Sequence, residues 1–487
     1  MIRSPILAHA AVSLSALALG ACSMAPKYVQ PAAPVPVSWP VGDAYLARSE
    51  AALPLVSYTE IFRDPRLQSL VEQALANNRD LKVAAANLAA ARAQVRVVRA
   101  NQFPAIGIDG SASRTETNGT SSTGTGSGAG FGTGDRSSYS LQGGISSFEL
   151  DFFGKYASAT AAQRNTALST EAAARTVRLG LVADLAQAWA TYAADRELLQ
   201  IAQATAANAE RSVTLTGARL KGGVAPRTDL RQAQQVLETA RGDVASQTTA
   251  LAQDVNAIRL LVGADFDESL LPADLDQVTG SLAVLPAGTS SQVLLRRPDV
   301  LEAEYSLRAA NADIGTARAE LFPSISLTGL LGFASNALSA LFDKGAFSAT
   351  GTAAASWSIF NAGGRSANVE VTKAQRDAAL ATYEKAIQTA FREVADALAD
   401  QGTLAERLRA ASSFTEAATD TARLTEASYR QGITSSLENL DAQRSLYSAR
   451  QQEIAVRLAS ASNRITLYRV LGGDQATPAA EQAPTGQ

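Results

Sequence analysis

From Ala25 onward the 487-residue chain contains no histidine, cysteine or methionine: the single histidine is His9, the single cysteine is Cys22, and the two methionines are Met1 and Met24. That inventory removes thiol–imidazole dyads, serine–histidine–aspartate triads, zinc sites built on histidine or cysteine, and soft-metal relays. Carboxylates, lysines and hydroxyls remain, so the chain does not read as an enzyme. A formal charge of −3 with 18% charged residues speaks against a nucleic-acid surface. The side chains left to consider are Cys22 and the acids near two glycine bends, Asp229, Glu438 and Asp441.

Cys22 follows a segment with the pattern of a secretory signal. Residues 1–21 carry Arg3 in a short basic region and then the apolar Ala10, Ala11, Val12, Leu14, Leu17 and Leu19. The run Leu19-Gly20-Ala21-Cys22 resembles a bacterial lipobox, whose cysteine is acylated and becomes the mature N-terminus; an ordinary signal peptide with an incidental cysteine is the alternative. Ser23 rather than aspartate follows, which in that lipoprotein class implies sorting to the outer membrane. Residues 26–40 are punctuated by Pro26, Pro31, Pro34, Pro36 and Pro40, as in an extended tether.

The acids near the bends must be held by the helices on either side. Around Gln431-Gly432 the sequence is helical for dozens of residues, and glycine supplies the positive φ that ends one helix while Ser435 caps the next. The same bend occurs earlier: Gly223, Val224, Ala233, Gln234, Leu237, Ala240 and Arg241 answer Gly432, Ile433, Ala442, Gln443, Leu446, Ala449 and Arg450. Asp80, Ala84, Leu88, Arg99, Phe103 and Pro104 answer Asp299, Ala303, Leu307, Arg318, Phe322 and Pro323, so the chain is a duplicated unit of helix, hairpin, long helix, bend and helix.

A first helix is expected from Asp64-Pro65, a good cap and first-turn pair, to about Asn101. Beyond Pro104 the period becomes two: Ile106, Ile108, Gly110 and Ala112 face one way, and a Gly/Ser/Thr-rich loop leads to a second strand at about 138–151. The second copy repeats this with Ile325, Leu327, Gly329, Leu331 and Phe333, then Ala353, Ala355, Trp357 and Ile359. The run 322–342 lacks charges and invites a transmembrane helix, but Pro323, two glycines and the alternation favour strands. The hairpin tips, 116–136 and 335–346, are expected to face outward.

Long helices are expected over 155–218 and 365–430. Helix lengths lead to an expectation for how the shorter pieces pair: 226–263 continued by 292–320 against the first long helix, and 436–471 continued by 65–101 against the second, closing the chain on itself. Ile387, Phe391, Val394 and Leu398, like Leu179, Val182, Ala186 and Trp189, keep the alternating spacing of coiled coils. The boundaries read as 1–21 signal, 22–63 tether, 64–280 and 281–473 repeats, and 474–487 disordered tail. Four strands cannot close a membrane barrel; a conducting one needs at least three chains and about twelve strands.

The run 62–65 (FRDP) with 78–81 (NRDL), 148–155 (FELDFFGK), 297–300 (RPDV) with Ala303-Glu304, 317–323, and 429–444 resemble the TolC-type outer-membrane efflux channels, in the lipoprotein subgroup typified by OprM and NodT. The resemblance covers nearly all of the mature chain. It implies an α+β membrane protein that forms a homotrimer, with a trimeric twelve-stranded β-barrel continued by a periplasmic α-helical tunnel, docking an inner-membrane RND-type pump through a periplasmic adaptor. Such channels are passive and bind no cofactor. In the family the helix tips close the periplasmic end, with acidic rings whose positions match Glu438 and Asp441; Asp229 is the acid at the other tip, and Tyr429 matches a latch tyrosine. The latch arginine of some relatives falls on Thr434, so that Lys221, Arg227 or Arg430 substitutes or the latch is weaker. Ser435 and Glu438 also fit a local capping box, whatever the protein does. A type I protein-secretion exit and a non-conducting trimeric coiled-coil surface lipoprotein remain as alternative functions.

Overall fold

The structure is a computed structural model, and it describes residues 23–36, 38–40, 42, 44–45, 58–115, 136–283 and 291–473. The signal segment, Cys22, the hairpin tip 116–135 and the tail 474–487 lie outside the described residues. In chain order the elements are α1 (Tyr58–Ile61), α2 (Pro65–Asn77), α3 (Arg79–Ala100), β1 (Ile106–Thr115), β2 (Arg136–Leu150), α4 (Lys155–Lys221) and α5 (Arg227–Val262). Then follow α6 (Leu275–Ser281), α7 (Pro298–Ala319), β3 (Ser324–Ser335), β4 (Phe347–Ser356), α8 (Gly364–Arg430) and α9 (Ser436–Val470), with short 3₁₀ turns between some of them. Contacts divide the chain into two compact units, 1–30 with 89–168 and 305–381, and 31–88 with 169–304 and 382–487. Each unit takes segments from both sequence repeats.

The first unit is built on one antiparallel sheet in the order β1-β2-β3-β4. The charge-free run 322–342 is strand β3 and the turn after it, and no helix among the described residues is long and apolar enough to cross a membrane. Register runs from Ile106 opposite Ile145 to Ser324 opposite Ser356, with one irregularity between Ile145 and Phe148. Strands β1 and β4 each have one neighbour, and all their residues are exposed. The alternation expected through Ile359 stops at Ser356; Trp357 instead donates its ring N–H to the Leu321 carbonyl at 3.1 Å. The tether is tied to α7 here: Asn311 donates to the Pro26 carbonyl at 2.8 Å and Arg318 to that of Met24 at 3.1 Å.

The second unit is helical, with Trp189, Ile387, Val394 and Val182 all buried as their coiled-coil spacing predicts. Trp189 donates its ring N–H to the Leu270 carbonyl at 3.0 Å, and the tether residue Trp39 stacks on Phe391 at 4.9 Å. The single helix expected over 64–101 is two helices, because Asn78 leaves the helical region at ψ 136°. Its side chain serves both sides of the break. Asn78 Oδ1 accepts from Leu81 N–H in the first turn of α3 at 3.0 Å, and Asn78 Nδ2 donates to the Leu261 carbonyl in the last turn of α5 at 2.8 Å. Gly263, at φ 73°, lets the backbones meet; a Cβ there would lie 2.8 Å from the Asn77 carbonyl oxygen.

The corresponding joint in the second repeat is made by Arg297. Its Nη1 donates to the Val470 carbonyl in the last turn of α9 at 2.7 Å, while Nη2 reaches Asp299 at 2.6 Å and Glu393 at 2.8 Å. The expected helix 292–320 accordingly starts as an α-helix only at Pro298, after a 3₁₀ turn over Ser291–Arg296. These joints overturn the end-to-end continuation expected from lengths: α5 ends at the start of α3, and α9 ends at the start of α7. The expected placement of α7 against the first long helix holds, with Ser169 Oγ donating to the Glu302 carbonyl at 3.0 Å. Length arithmetic failed because α3 and α7 are both 22 residues long and fit either partner equally. The chain's beginning still meets its end, through Phe62, which bridges to Leu282 and sets its ring edge-on to Tyr468 at 5.0 Å.

Between α4 and α5 the carboxyls of Asp195 and Asp254 share a hydrogen bond, and Asp254 Oδ2 is shut off from solvent without another donor. Burial and then the neighbouring carboxylate push Asp254 up to about 7 from an ordinary 3.8. The folded pair therefore keeps a proton that the unfolded chain releases. The stability it contributes is full below the unfolded value and is lost as pH rises through about 7.

Two outcomes follow from this packing. Arg297→Ala strips a joint of a buried cation and leaves Asp299 and Glu393 facing each other, so denaturant titration should show a loss of about 3–5 kcal/mol. Asp254→Asn should melt above the parent at about pH 8, with the gap closing at about pH 4, as followed by circular dichroism.

Candidate functional site: the two helix tips

The two bends are built alike. At the first, Gly223 adopts φ 73°, Gly223 N–H bonds the Leu220 carbonyl and Val224 N–H that of Arg219, both at 3.0 Å. At the second, Gly432 adopts φ 77°, with Gly432 N–H on the Tyr429 carbonyl at 3.0 Å and Ile433 N–H on that of Ser428 at 2.9 Å. This pair of bonds is the Schellman closure, which takes up the last carbonyls of α4 and α8 and needs a left-handed residue. Pro226 precedes α5 and fixes its entry, whereas Ser435 caps α9 with its hydroxyl.

Tyr429 is the best-held side chain of the site. It is 4% exposed, and its hydroxyl shares a hydrogen bond of 3.1 Å with Thr216 Oγ1, which is 1% exposed. The Arg219 guanidinium lies 4.8 Å from the centre of the Tyr429 ring, and Arg219 Nη1 donates to the Tyr429 carbonyl at 3.0 Å. The last turns of the two long helices are thus bound to each other at one point. The basic residue there is Arg219, not any of the three expected from sequence: Lys221 and Arg227 are exposed, and Arg430 pairs with Glu426 on its own helix. The helical spacing was the available signal, since Thr216 and Arg219 lie one turn apart on a single face of α4.

The three acids sit at the starts of the return helices. Glu438 completes the capping box, accepting from Ser435 N–H at 3.0 Å while its own N–H bonds Ser435 Oγ at 3.2 Å. Asp441 is exposed and pairs with Arg444 at 3.2 Å. Asp229 lies half-buried in the first turn of α5. A few turns above the tips, α5 and α9 enclose a cavity of about 540 Å³. Tyr447 donates across it to Asp243 at 3.0 Å, and burial together with that carboxylate pushes the phenol up to about 12. No group of three or more His, Cys, Asp or Glu side chains that could hold a metal occurs among the described residues. Buried aromatic and hydroxyl contacts, with exposed and half-buried acids around them, hold the ends of the helices together.

The chain was compared with known proteins. Residues 70–264 and 289–473 match the family described as "Outer membrane efflux protein". The toluene efflux pump outer membrane protein TtgC of Pseudomonas putida is 42% identical over 465 residues, covering 95% of this chain and 94% of the relative. The cation efflux system protein CusC of Escherichia coli is 37% identical over 460 residues, covering 94% of this chain and 97% of the relative. Among solved structures, the open state of the Neisseria gonorrhoeae MtrE outer membrane channel aligns with a TM-score of 0.80 at 33% identity, covering 93% of this chain and 98% of that one. The four-stranded sheet, the paired long helices and these matches agree: the chain belongs to the outer membrane efflux protein family and is a passive outer-membrane exit channel of an efflux system, not an enzyme.

Proposed function

We propose that three copies of this chain assemble into one conduit, anchored by a lipid on Cys22 and closed at its periplasmic end by the helix tips. The observation that carries the assembly is the open sheet. Strands β1 and β4 both have an unpaired edge, and an unpaired edge in hydrocarbon leaves backbone groups unsatisfied at several kcal/mol each. Pairing β4 of one copy with β1 of the next removes every edge, and three copies give about twelve strands, wide enough to conduct. The resemblance supplies the rest of the machine: a periplasmic adaptor (membrane fusion) protein and an inner-membrane RND-type pump that provides the transport energy. Relatives of similar identity are named for toluene and for cations, which favours selection of cargo by the pump rather than by this component.

The tether supports the anchor. Met24 and Pro26, just after Cys22, are hydrogen-bonded to the C-terminal half of α7, the helix that leads directly into strand β3 and hence into outer-membrane lipid. In the gate, Tyr429, Thr216 and Arg219 form the latch that holds α4 to α8, and Glu438, Asp441 and Asp229 supply acidic rings when three tips surround one axis. Acids so placed favour cations and bind multivalent ones.

Two measurements test this reading. In planar bilayers, Tyr429→Phe should raise leak conductance. Glu438→Gln with Asp441→Asn, which keeps the capping box, should weaken cation selectivity and multivalent-cation block. Wild-type selectivity and block in a trimeric double variant would leave the acids as helix caps only. Mass spectrometry of the mature N-terminus should find an acylated Cys22, and an unmodified end upstream of residue 22 would reject the anchor.

A further inference from the structure

The start of α9 buries polar side chains where the start of α5 buries none. In the first turns of α9, Ser436 is 6% and Asn439 2% exposed, one helical turn apart on a single face. The first turn of α5, in the other repeat, has no buried residue. The two tips answer one another position by position: Asn439 corresponds to Leu230 and Glu426 to Gly217, at the same offset that pairs the glycines of the bends. Leu230 rests on α4 at Gly217, where an added Cβ would lie 3.8 Å from Leu230 Cδ1. One tip therefore closes over an aliphatic side chain and the other over an amide.

That amide is not satisfied. Asn439 N–H bonds the Ser435 carbonyl at 3.3 Å, as the helix requires, but the side chain makes no hydrogen bond among the described residues. Its Oδ1 is shut off from solvent without a donor. The enclosure is complete within one chain, so a second copy cannot reach that oxygen either. Nor is Asn439 a cap, since Ser435 and Glu438 already fill both halves of the capping box. An amide oxygen taken from water and given no donor raises the free energy of the arrangement that encloses it.

The penalty belongs to one arrangement only. When the start of α9 moves off α8, Asn439 Oδ1 returns to water and the penalty is relieved, whereas the same movement at the first tip would expose Leu230 at a loss. The opposing force is close by in sequence: Tyr429, in the last turn of α8, is tied to Thr216 and Arg219 on α4.

We propose that Asn439 sets the balance of the gate, its unpaired amide raising the free energy of the closed tip while the contacts of Tyr429 with Thr216 and Arg219 hold the tip shut against it. The inference rests on the reading of the helix tips as a gate, and Tyr429→Phe tests that reading separately.

Planar-bilayer conductance and thermal unfolding of the purified full assembly test the role of Asn439. Asn439→Leu, which installs the residue of the first repeat, should lower leak conductance by about tenfold, the weight of one unpaired buried polar group, and raise the melting temperature. In the Tyr429→Phe background the same change should remove most of the added leak. Leu230→Asn, the reverse exchange at the other tip, should raise leak. Asn439→Val, nearer to asparagine in bulk, repeats the test should leucine not fit. If Tyr429→Phe leaks and neither Asn439 variant reduces that leak, or if both variants melt below the parent, the proposal is overturned while the gate stands. If Tyr429→Phe does not leak, the gate reading fails and this inference falls with it.

Discussion

A helix that stops in mid-protein leaves its last carbonyls without partners, and this chain stops two helices that way. α5 and α9 are too short to accompany the long helices α4 and α8 along their full length, and the carbonyls of Leu261 and Val470 would be orphaned where they end. The side chains of Asn78 and Arg297 reach those carbonyls from the first residues of the next helices. Everything that depends on long helix pairs, including the position of the tips, depends on these two joints. They are chemically unequal. The neutral amide of Asn78 needs nothing further, whereas the guanidinium of Arg297 is 7% exposed and is kept in place by Asp299 and Glu393.

Much of this was legible in the sequence, for stated reasons. The change of period after Pro104 and Pro323 marks strands because a two-residue repeat cannot be a helix face, and the glycines at 223 and 432 mark bends because only they take positive φ without cost. The break at Asn78 was not legible, because the apolar spacing runs through it and asparagine is tolerated in helices; what ends the helix is a carbonyl 183 residues away. The pairing of the short helices was misjudged for a related reason, since two helices of equal length give lengths no discriminating power.

The same division holds at the tips. Tyr429 and the acids could be found from their places beside a recognisable bend. Thr216 and Arg219 were missed, because they act on a residue more than two hundred positions further on, and their spacing of one turn on a single face of α4 is a signal that many other polar pairs share. Glu438 shows the converse: its local pattern, serine then glutamate three residues later, is realised as a hydrogen-bonded capping box.

The joints also set distances along the chain. The Asn78 contact closes a span of 183 residues and the Arg297 contact one of 173, so each needs most of its own repeat in place, at the cost in search that distant contacts carry. Contacts between the two repeats then run from strand to tip: Leu141 of β2 stands opposite Phe333 of β3, Asp243 accepts from Tyr447, and Thr216 meets Tyr429. A duplication so cross-stitched leaves neither repeat able to satisfy its own side chains alone.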